Sequence, residues 1–332
     1  MKVLLYFEDE NLIAKSGVGR ALQHQKKALE SVGISYTTNA KDTDYDILHI
    51  NTYGITSEFV INSARKNHKP VIYHAHSTKE DFMNSFILSN AIAPVFKKRL
   101  CDLYNLADIL ITPTPYSKRL LEGYGLKMPI YPISNGIDLS AYEYDNRKVQ
   151  AFYDYFRLGP EDKVIIGVGL PFQRKGILDF IKVAQMLPDY HFIWFGGLSR
   201  ILIPGKVINA IDHCPCNVEF PGYICGDVIQ GAFLTADCFF SPSYEETEGI
   251  AVLEALSSRK TCVLRDIGAY ESWAIPGKNC YLASSNADFA NLIEKIISHQ
   301  SPLTGENAYE VARTRSISEV GKQLKAVYET LL

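Results

Sequence analysis

The sequence predicts an α/β protein made of two successive doubly wound parallel-sheet units. Three observations carry this. Short apolar runs alternate with stretches of helical periodicity along the whole chain of 332 residues. The runs are continuously apolar rather than alternating, as strands buried on both faces require. The length suits two domains of ordinary size better than one very large sheet.

The elements follow in order. In the first half, strands are predicted at 3–7, 47–50, 71–74, 109–112 and 130–133, with helices at 20–31, 57–66, 97–106 and 117–124. A second series begins with strands at 164–168, 192–195, 218–220, 238–240 and 261–264, and helices at 177–185, 226–235, 250–258 and 287–299. A last helical pattern covers 318–331. The loop-forming Asn135-Gly-Ile-Asp138 and the charged, aromatic stretch 141–158 mark the joint. The expected division is 1–145 and 146–315, with a terminal helix over 316–332.

Composition narrows the function. Hydrophobic residues make up 47% and charged residues 21%, as in ordinary globular proteins. The formal net charge of −3 makes nucleic acid an unexpected partner. The positive balance lies in the first half, where a membrane-facing surface is to be sought. The 7 cysteines are scattered, and the odd number suits reduced thiols in a cytoplasm. Met1-Lys-Val-Leu-Leu reads directly as a strand, and no apolar run approaches bilayer-spanning length.

The motif richest in chemistry is Ser241-Pro-Ser-Tyr-Glu-Glu-Thr-Glu-Gly-Ile-Ala-Val-Leu-Glu254. Seven residues separate Glu246 from Glu254. With a helix opening near Gly249, Glu254 stands roughly 7 Å along its axis while Glu246 remains in the loop before it. Between them lie Thr247 and the backbone amides of Glu248, Gly249 and Ile250, at the positive end of the helix. Amides there suit a diphosphate, and the carboxylates can accept from sugar hydroxyls. An ordinary strand–turn–helix with two surface carboxylates has the same spacing.

Other motifs also fall after predicted strands. Ser16-Gly17-Val-Gly19-Arg20 opens the first helix; it serves a phosphate or a plain glycine turn about equally well. Tyr73-His74-Ala-His76 places two imidazoles on one side of a strand end, as hydrogen-bond donors or structural residues. Gly167-Val-Gly169-Leu-Pro-Phe-Gln-Arg174-Lys175-Gly176 carries a cationic pair at a helix start. Such a pair is mildly unfavourable unless an anion sits beside it. Trp194-Phe-Gly-Gly and Phe220-Pro-Gly222-Tyr223-Ile224 read first as core aromatics before turns. Asp42-Thr-Asp44 precedes a strand rather than following one and is read as solvated loop carboxylates, not a metal motif.

In this order, the motifs resemble those of retaining GT-B glycosyltransferases of family 4. The length, the His-Ala-His-Ser stretch and Glu-Glu-Thr-Glu-Gly are similar to bacterial enzymes that add a second hexose to glucosyl-diacylglycerol. The resemblance implies two Rossmann-like doubly wound domains with a cleft between them, and a terminal helix crossing back to the first domain. It implies UDP-galactose or UDP-glucose as donor, glucosyl-diacylglycerol as acceptor, and no metal or other cofactor.

It also implies roles for named residues. Glu246 contacts the donor sugar and Glu254 the nucleotide ribose. Arg174 and Lys175 face the diphosphate, and His76 stands near the reacting centre. Gly17, Gly19, Gly169, Tyr223, Ile224, Thr247, Glu248, Gly249 and Ile250 line the nucleotide-sugar site. Glu248 replaces the usual aromatic and Leu170 a frequent Arg, whose charge Arg174 is expected to supply. The segment 82–106, apolar with a Lys97-Lys98-Arg99 cluster, is then expected to rest on an anionic membrane surface facing the cytoplasm. From pattern alone a core helix with one basic face is the better reading. A soluble acceptor and a non-catalytic sugar-nucleotide-binding protein are the alternative readings.

Overall fold

The computed structural model describes residues 1–8 and 17–332. Its contacts divide them into two compact units. Unit 1 comprises Met1–Phe82, Asn90–Ile137 and Arg315–Leu332; unit 2 comprises Met83–Ser89 and Asp138–Thr314.

In unit 1, strands β1 (Lys2–Tyr6), β2 (Ser35–Thr37), β3 (Ile47–Ile50), β4 (Val71–His74), β5 (Ile109–Thr112) and β6 (Ile130–Pro132) form one parallel sheet. Its order is β2-β1-β3-β4-β5-β6. Helices α1 (Gly17–Ser31), α2 (Ile55–Lys66), α3 (Lys79–Phe82), α4 (Ser89–Tyr104) and α5 (Pro115–Glu122) accompany the strands. One face of the sheet packs Ile61 and Ala64 of α2 with Phe96, Leu100 and Leu103 of α4. The other packs Leu22, Ala28 and Leu29 of α1 with Val320, Leu324, Val327 and Tyr328 of the terminal helix, Ile317–Glu329. Gly321 permits that docking: a Cβ there would lie 2.4 Å from the Ala28 carbonyl oxygen.

In unit 2, helix α6 (Asn146–Phe156) precedes β7 (Val164–Val168). There follow α7 (Ile177–Met186), β8 (His191–Phe195), α8 (Gly205–Asp212), β9 (Val218–Gly222) and α9 (Asp227–Thr235). The series closes with β10 (Cys238–Ser241), α10 (Ile250–Ser257), β11 (Cys262–Arg265), β12 (Tyr281–Ala283), α11 (Asn286–Ile297) and α12 (Gly305–Arg313). The sheet is again parallel, in the order β12-β11-β10-β7-β8-β9. Phe180 of α7 stacks on Phe240 of β10 and meets Trp194 of β8 edge-on, filling one face.

The two doubly wound sheets are those the alternation predicts. Several elements differ in detail. The stretch 141–158, expected as a joint, folds into unit 2 as α6, whose Lys148 carbonyl oxygen would be 2.0 Å from a Cβ on Gly231 of α9. The chain passes from unit 1 to unit 2 at Ile137/Asp138, before that stretch. Helix α4 begins at Ser89, eight residues ahead of the predicted start. The edge strands β2 and β12 and helices α8 and α12 had no predicted counterpart. The edge strands are three residues long and only partly buried, so no apolar run marks them.

Strand order reverses between β1 and β3 in unit 1, and between β7 and β10 in unit 2. Open α/β sheets bind ligands outside the carboxyl ends of strands at such a reversal. The predicted motifs 169–176 and 242–249 follow β7 and β10, the two strands flanking the reversal in unit 2.

Candidate active site

The site in unit 2 is assembled from the loops after β7 and β10. After β7, Gln173–Lys175 forms a single 3-10 turn ended by Gly176 in the left-handed conformation, φ 75°. A Cβ on Gly176 would meet the Pro242 carbonyl oxygen at 2.2 Å, so only glycine lets the two loops abut. This approach carries Lys175 to Glu246: Nζ lies 2.6 Å from Oε1 and 2.8 Å from Oε2. The Lys175 stem crosses Gly169, whose carbonyl oxygen accepts from Trp194 Nε1 at 2.9 Å.

Glu246 is buried. Burial pushes its carboxyl up, but Lys175, then Arg174, and hydrogen bonds from Lys175 and Ser243 hold it below the ordinary value. It is therefore a carboxylate at neutral pH. The anion expected to balance the Arg-Lys pair is thus, in the first instance, Glu246 itself. Arg174 stands 3.8 Å from Glu246 Oε2. Its Nε donates to Ser85 Oγ at 3.0 Å, a second nitrogen donates to the Glu245 carbonyl oxygen, and its backbone N–H donates to the Asn84 carbonyl oxygen. Arg174 therefore ties the 83–89 segment to the acidic loop.

Helix α10 opens at Gly249, as the motif predicts; Gly249 is left-handed at φ 88° and lacks a side-chain cap. Thr247, Gly249 and Ile250 are half-buried and Glu248 is buried at the helix start. Glu254 lies within the helix, 1% exposed, and accepts from the Tyr142 hydroxyl at 2.5 Å. Tyr223 and Ile224 follow β9; Gly197 packs against the Tyr223 amide, with a Cβ there 3.2 Å from the nitrogen.

Three residues escaped the sequence reading. Tyr142 lies in the joint region and carries no motif. Tyr270 is fully buried, with its hydroxyl 3.3 Å from where a Gly249 Cβ would stand. Arg265 donates to Pro242 O at 2.9 Å, Ser284 O at 2.9 Å and Asp179 Oδ2 at 3.0 Å, and its guanidinium lies 3.9 Å from the centre of the Tyr244 ring. It clamps the turn that leads to Glu246. Its place at a strand end was the available signal.

In unit 1, His76 follows β4 and is buried, with Nε2 2.9 Å from Asn51 Oδ1. Burial lowers its pKa to about 4, opposed by a hydrogen bond with Asn135. Gly17 and Gly19 open α1, the first exposed and the second buried. Ser16, the first residue of that glycine motif, lies outside the described residues. The Asp42 carboxylate pairs with Lys2 Nζ at 2.9 Å.

The basic cluster is partly engaged: Lys97 lies over the Tyr124 ring at 4.1 Å and Arg99 pairs with Glu58 at 2.6 Å. Near it on unit 1, Ile92 and Val95 of α4 are exposed, as are Tyr53, Ile55 and Phe59 at the start of α2. The Tyr53 ring meets Phe96 of α4 at 5.2 Å. Among the described residues, no helix is long and apolar enough to cross a membrane.

Comparison with known proteins gives this geometry a context. Residues 155–314 match the family model described as Glycosyl transferases group 1, and residues 24–141 that described as Glycosyltransferase Family 4. The chain is 48% identical to a processive diacylglycerol alpha-glucosyltransferase of Acholeplasma laidlawii, over 100% of this chain and 99% of that protein. It is 35% identical to an alpha-galactosylglucosyldiacylglycerol synthase of Streptococcus pneumoniae, over 32% of this chain and 30% of that protein. Among solved structures, Anabaena HepE in complex with UDP and glucose superimposes with a TM-score of 0.79 at 18% identity, covering 100% of both chains. Sucrose-phosphate synthase of Thermosynechococcus elongatus does so with a TM-score of 0.81 at 15% identity, over 100% of this chain and 99% of that one.

Proposed function

From the premise that the chain belongs to the GT-B glycosyltransferases with family 4 and group 1 domains, we propose that it moves glucose from UDP-glucose to glucosyl-diacylglycerol, with retention at the anomeric carbon. The observation that carries the reading is the Glu246–Lys175–Arg174 cluster beside the uncapped Gly249 helix start. Two cations and a helix N-terminus suit a leaving diphosphate, and an ionised carboxylate suits a sugar ring. The full-length likeness to a diacylglycerol glucosyltransferase favours a lipid acceptor, and glucose over galactose.

In this reaction the bond from the sugar C1 to the diphosphate breaks. The acceptor oxygen bonds C1 on the same face, and its proton passes to the departing diphosphate. Arg174, Lys175 and the α10 amides hold the developing charge. Glu246 places the donor ring, Glu254 binds ribose, and His76 meets a hydroxyl of donor or acceptor. On unit 2, Gly169, Tyr223, Ile224, Thr247, Glu248 and Ile250 complete the donor site; Gly17 and Gly19 on unit 1 are assigned to ligand binding as well. Because the cations are side chains, no metal is required, and activity persists in excess chelator.

The enzyme reaches its acceptor from the cytoplasmic side. The 82–106 region, with its Lys97-Lys98-Arg99 cluster, rests on anionic headgroups. The decisive experiment supplies UDP-glucose or UDP-galactose with diacylglycerol, glucosyl-diacylglycerol or a soluble glucoside, and identifies the product. A diglucosyl lipid is expected. Transfer to the soluble glucoside alone would refute the lipid acceptor, and transfer from UDP-galactose alone would refute the donor.

A further inference from the structure

Behind His76 lies a feature that no sugar or phosphate contact explains. Three imidazoles are stacked in unit 1. Alternation along the chain puts His74 and His76 on one side, and their rings lie parallel, 5° apart, with centroids 4.1 Å apart. His49 of β3 continues the stack at 5.5 Å and 21° from His74. All three are buried. The far end is pinned: His49 Nδ1 is 2.7 Å from the Tyr328 hydroxyl of the terminal helix, and Gln25 Nε2 of α1 is within 3.1 Å of both His49 ring nitrogens. The near end is His76, with Nε2 on Asn51 Oδ1. A carboxamide oxygen accepts, so Nε2 donates to Asn51, and the same ring has a hydrogen bond with Asn135.

His74, in the middle, has neither ring nitrogen hydrogen-bonded, and both are buried. An imidazole held this way contributes its ring and its lack of charge. Charging any member would set a cation against its neighbours' rings, without a counter-ion among the described residues. Among the described residues, the groups facing the stack are His49 from β3, Gln25 from α1, Tyr328 from the terminal helix, and the amides of Asn51 and Asn135. None carries charge at neutral pH. Burial first, and then neighbouring imidazoles, hold His49 at about 3 and His74 well below the usual histidine range.

We propose that His74 is a positioning residue, and that the His49–His74–His76 stack holds His76 flat and uncharged rather than as a cation or general acid. The part concerning catalysis rests on the placement of His76 at the donor or acceptor hydroxyl under the proposed function. There a neutral ring meets a sugar hydroxyl without adding charge.

The test needs no turnover. In the full chain with isotope-labelled histidine, imidazole nitrogen resonances are followed from about pH 8 to about pH 5, and His76 is assigned by its loss in His76→Gln. Wild type and His74→Phe, which keeps a ring in the stack, are expected to show one neutral His76 tautomer throughout. His74→Ala, and His74→Gln should the alanine variant fail to fold, are expected to titrate at least about one pH unit higher. Their transfer rates then fall on acidification where wild type does not. A wild-type His76 that titrates near the ordinary histidine value overturns the proposal. So does a His76 titration unaltered in both ring-deleting variants. Absence of glucosyl transfer with the nitrogen spectra as expected would refute the proposed function and leave the stack standing.

Discussion

Lys175 and Glu246 show how one contact sets a residue's chemistry. A carboxylate this buried is stable only because a cation stands against both its oxygens. Lys175→Met leaves Glu246 with Arg174 as its remaining cation among the described residues, at a cost of about 3 kcal/mol by analogy with other broken buried pairs. The sign with pH follows from the depressed folded pKa. The stabilisation is fully present above the ordinary carboxylate value and is lost as pH falls through the folded one. Thermal melts of wild type and Lys175→Met should therefore differ most at neutral pH and converge in acid; a constant difference would exclude the ion pair as the cause.

Glu254 gives a second test at this scale. Glu254→Ala removes the proposed acceptor for ribose and should weaken UDP binding about tenfold in calorimetry, or about 1.4 kcal/mol. Unchanged affinity would refute that role. Glu246, Glu254, Lys175 and Gly249 could be read from the sequence because their spacing around strand ends is local. Tyr142 could not be: its contact with Glu254 spans 112 positions, and no local pattern encodes it.

At the scale of elements, the loops after β7 and β10 are held by backbone fit more than by side chains. Gly176→Ala would place a methyl 2.2 Å from the Pro242 oxygen and strain a left-handed residue. It should cost at least about 2 kcal/mol and reduce transfer sharply, since Lys175 moves with it. Gly249→Ala has the same handedness but 3.3 Å of clearance, so its melting point should fall less. The reverse order in melting temperature would show that the abutment is not tight. Helix and strand positions were legible because parallel strands buried on both faces read as unbroken apolar runs. β2 and β12 were not, because short edge strands carry no such run. The helix over 146–156 was read as a joint because its charged face hides the apolar residues, Phe152 and Phe156, that pack inward.

At the scale of the molecule, each sheet has both faces covered, and in unit 1 the terminal helix supplies part of that cover. On the same unit, Ile55 and Phe59 of α2 and Ile92, Val95 and Lys98 of α4 are exposed, residue types suited to a lipid surface. Phe59→Glu with Val95→Glu should abolish co-sedimentation with anionic vesicles without shifting the melting temperature, and raised salt should weaken wild-type binding. Undiminished vesicle binding by the double variant would remove these helices from the membrane reading. The sequence by itself determined the two parallel sheets, the position of the loops after β7 and β10 and the family, since hydrophobic period and strand-end motifs are local properties of the chain. Only the tertiary structure decided that Lys175 grips Glu246, that Arg265 clamps the Pro242 turn, and that His49 completes a stack behind His76. Those partners are distant in sequence, and they meet because crossover connections carry strand ends from separate parts of the chain to one edge of a sheet.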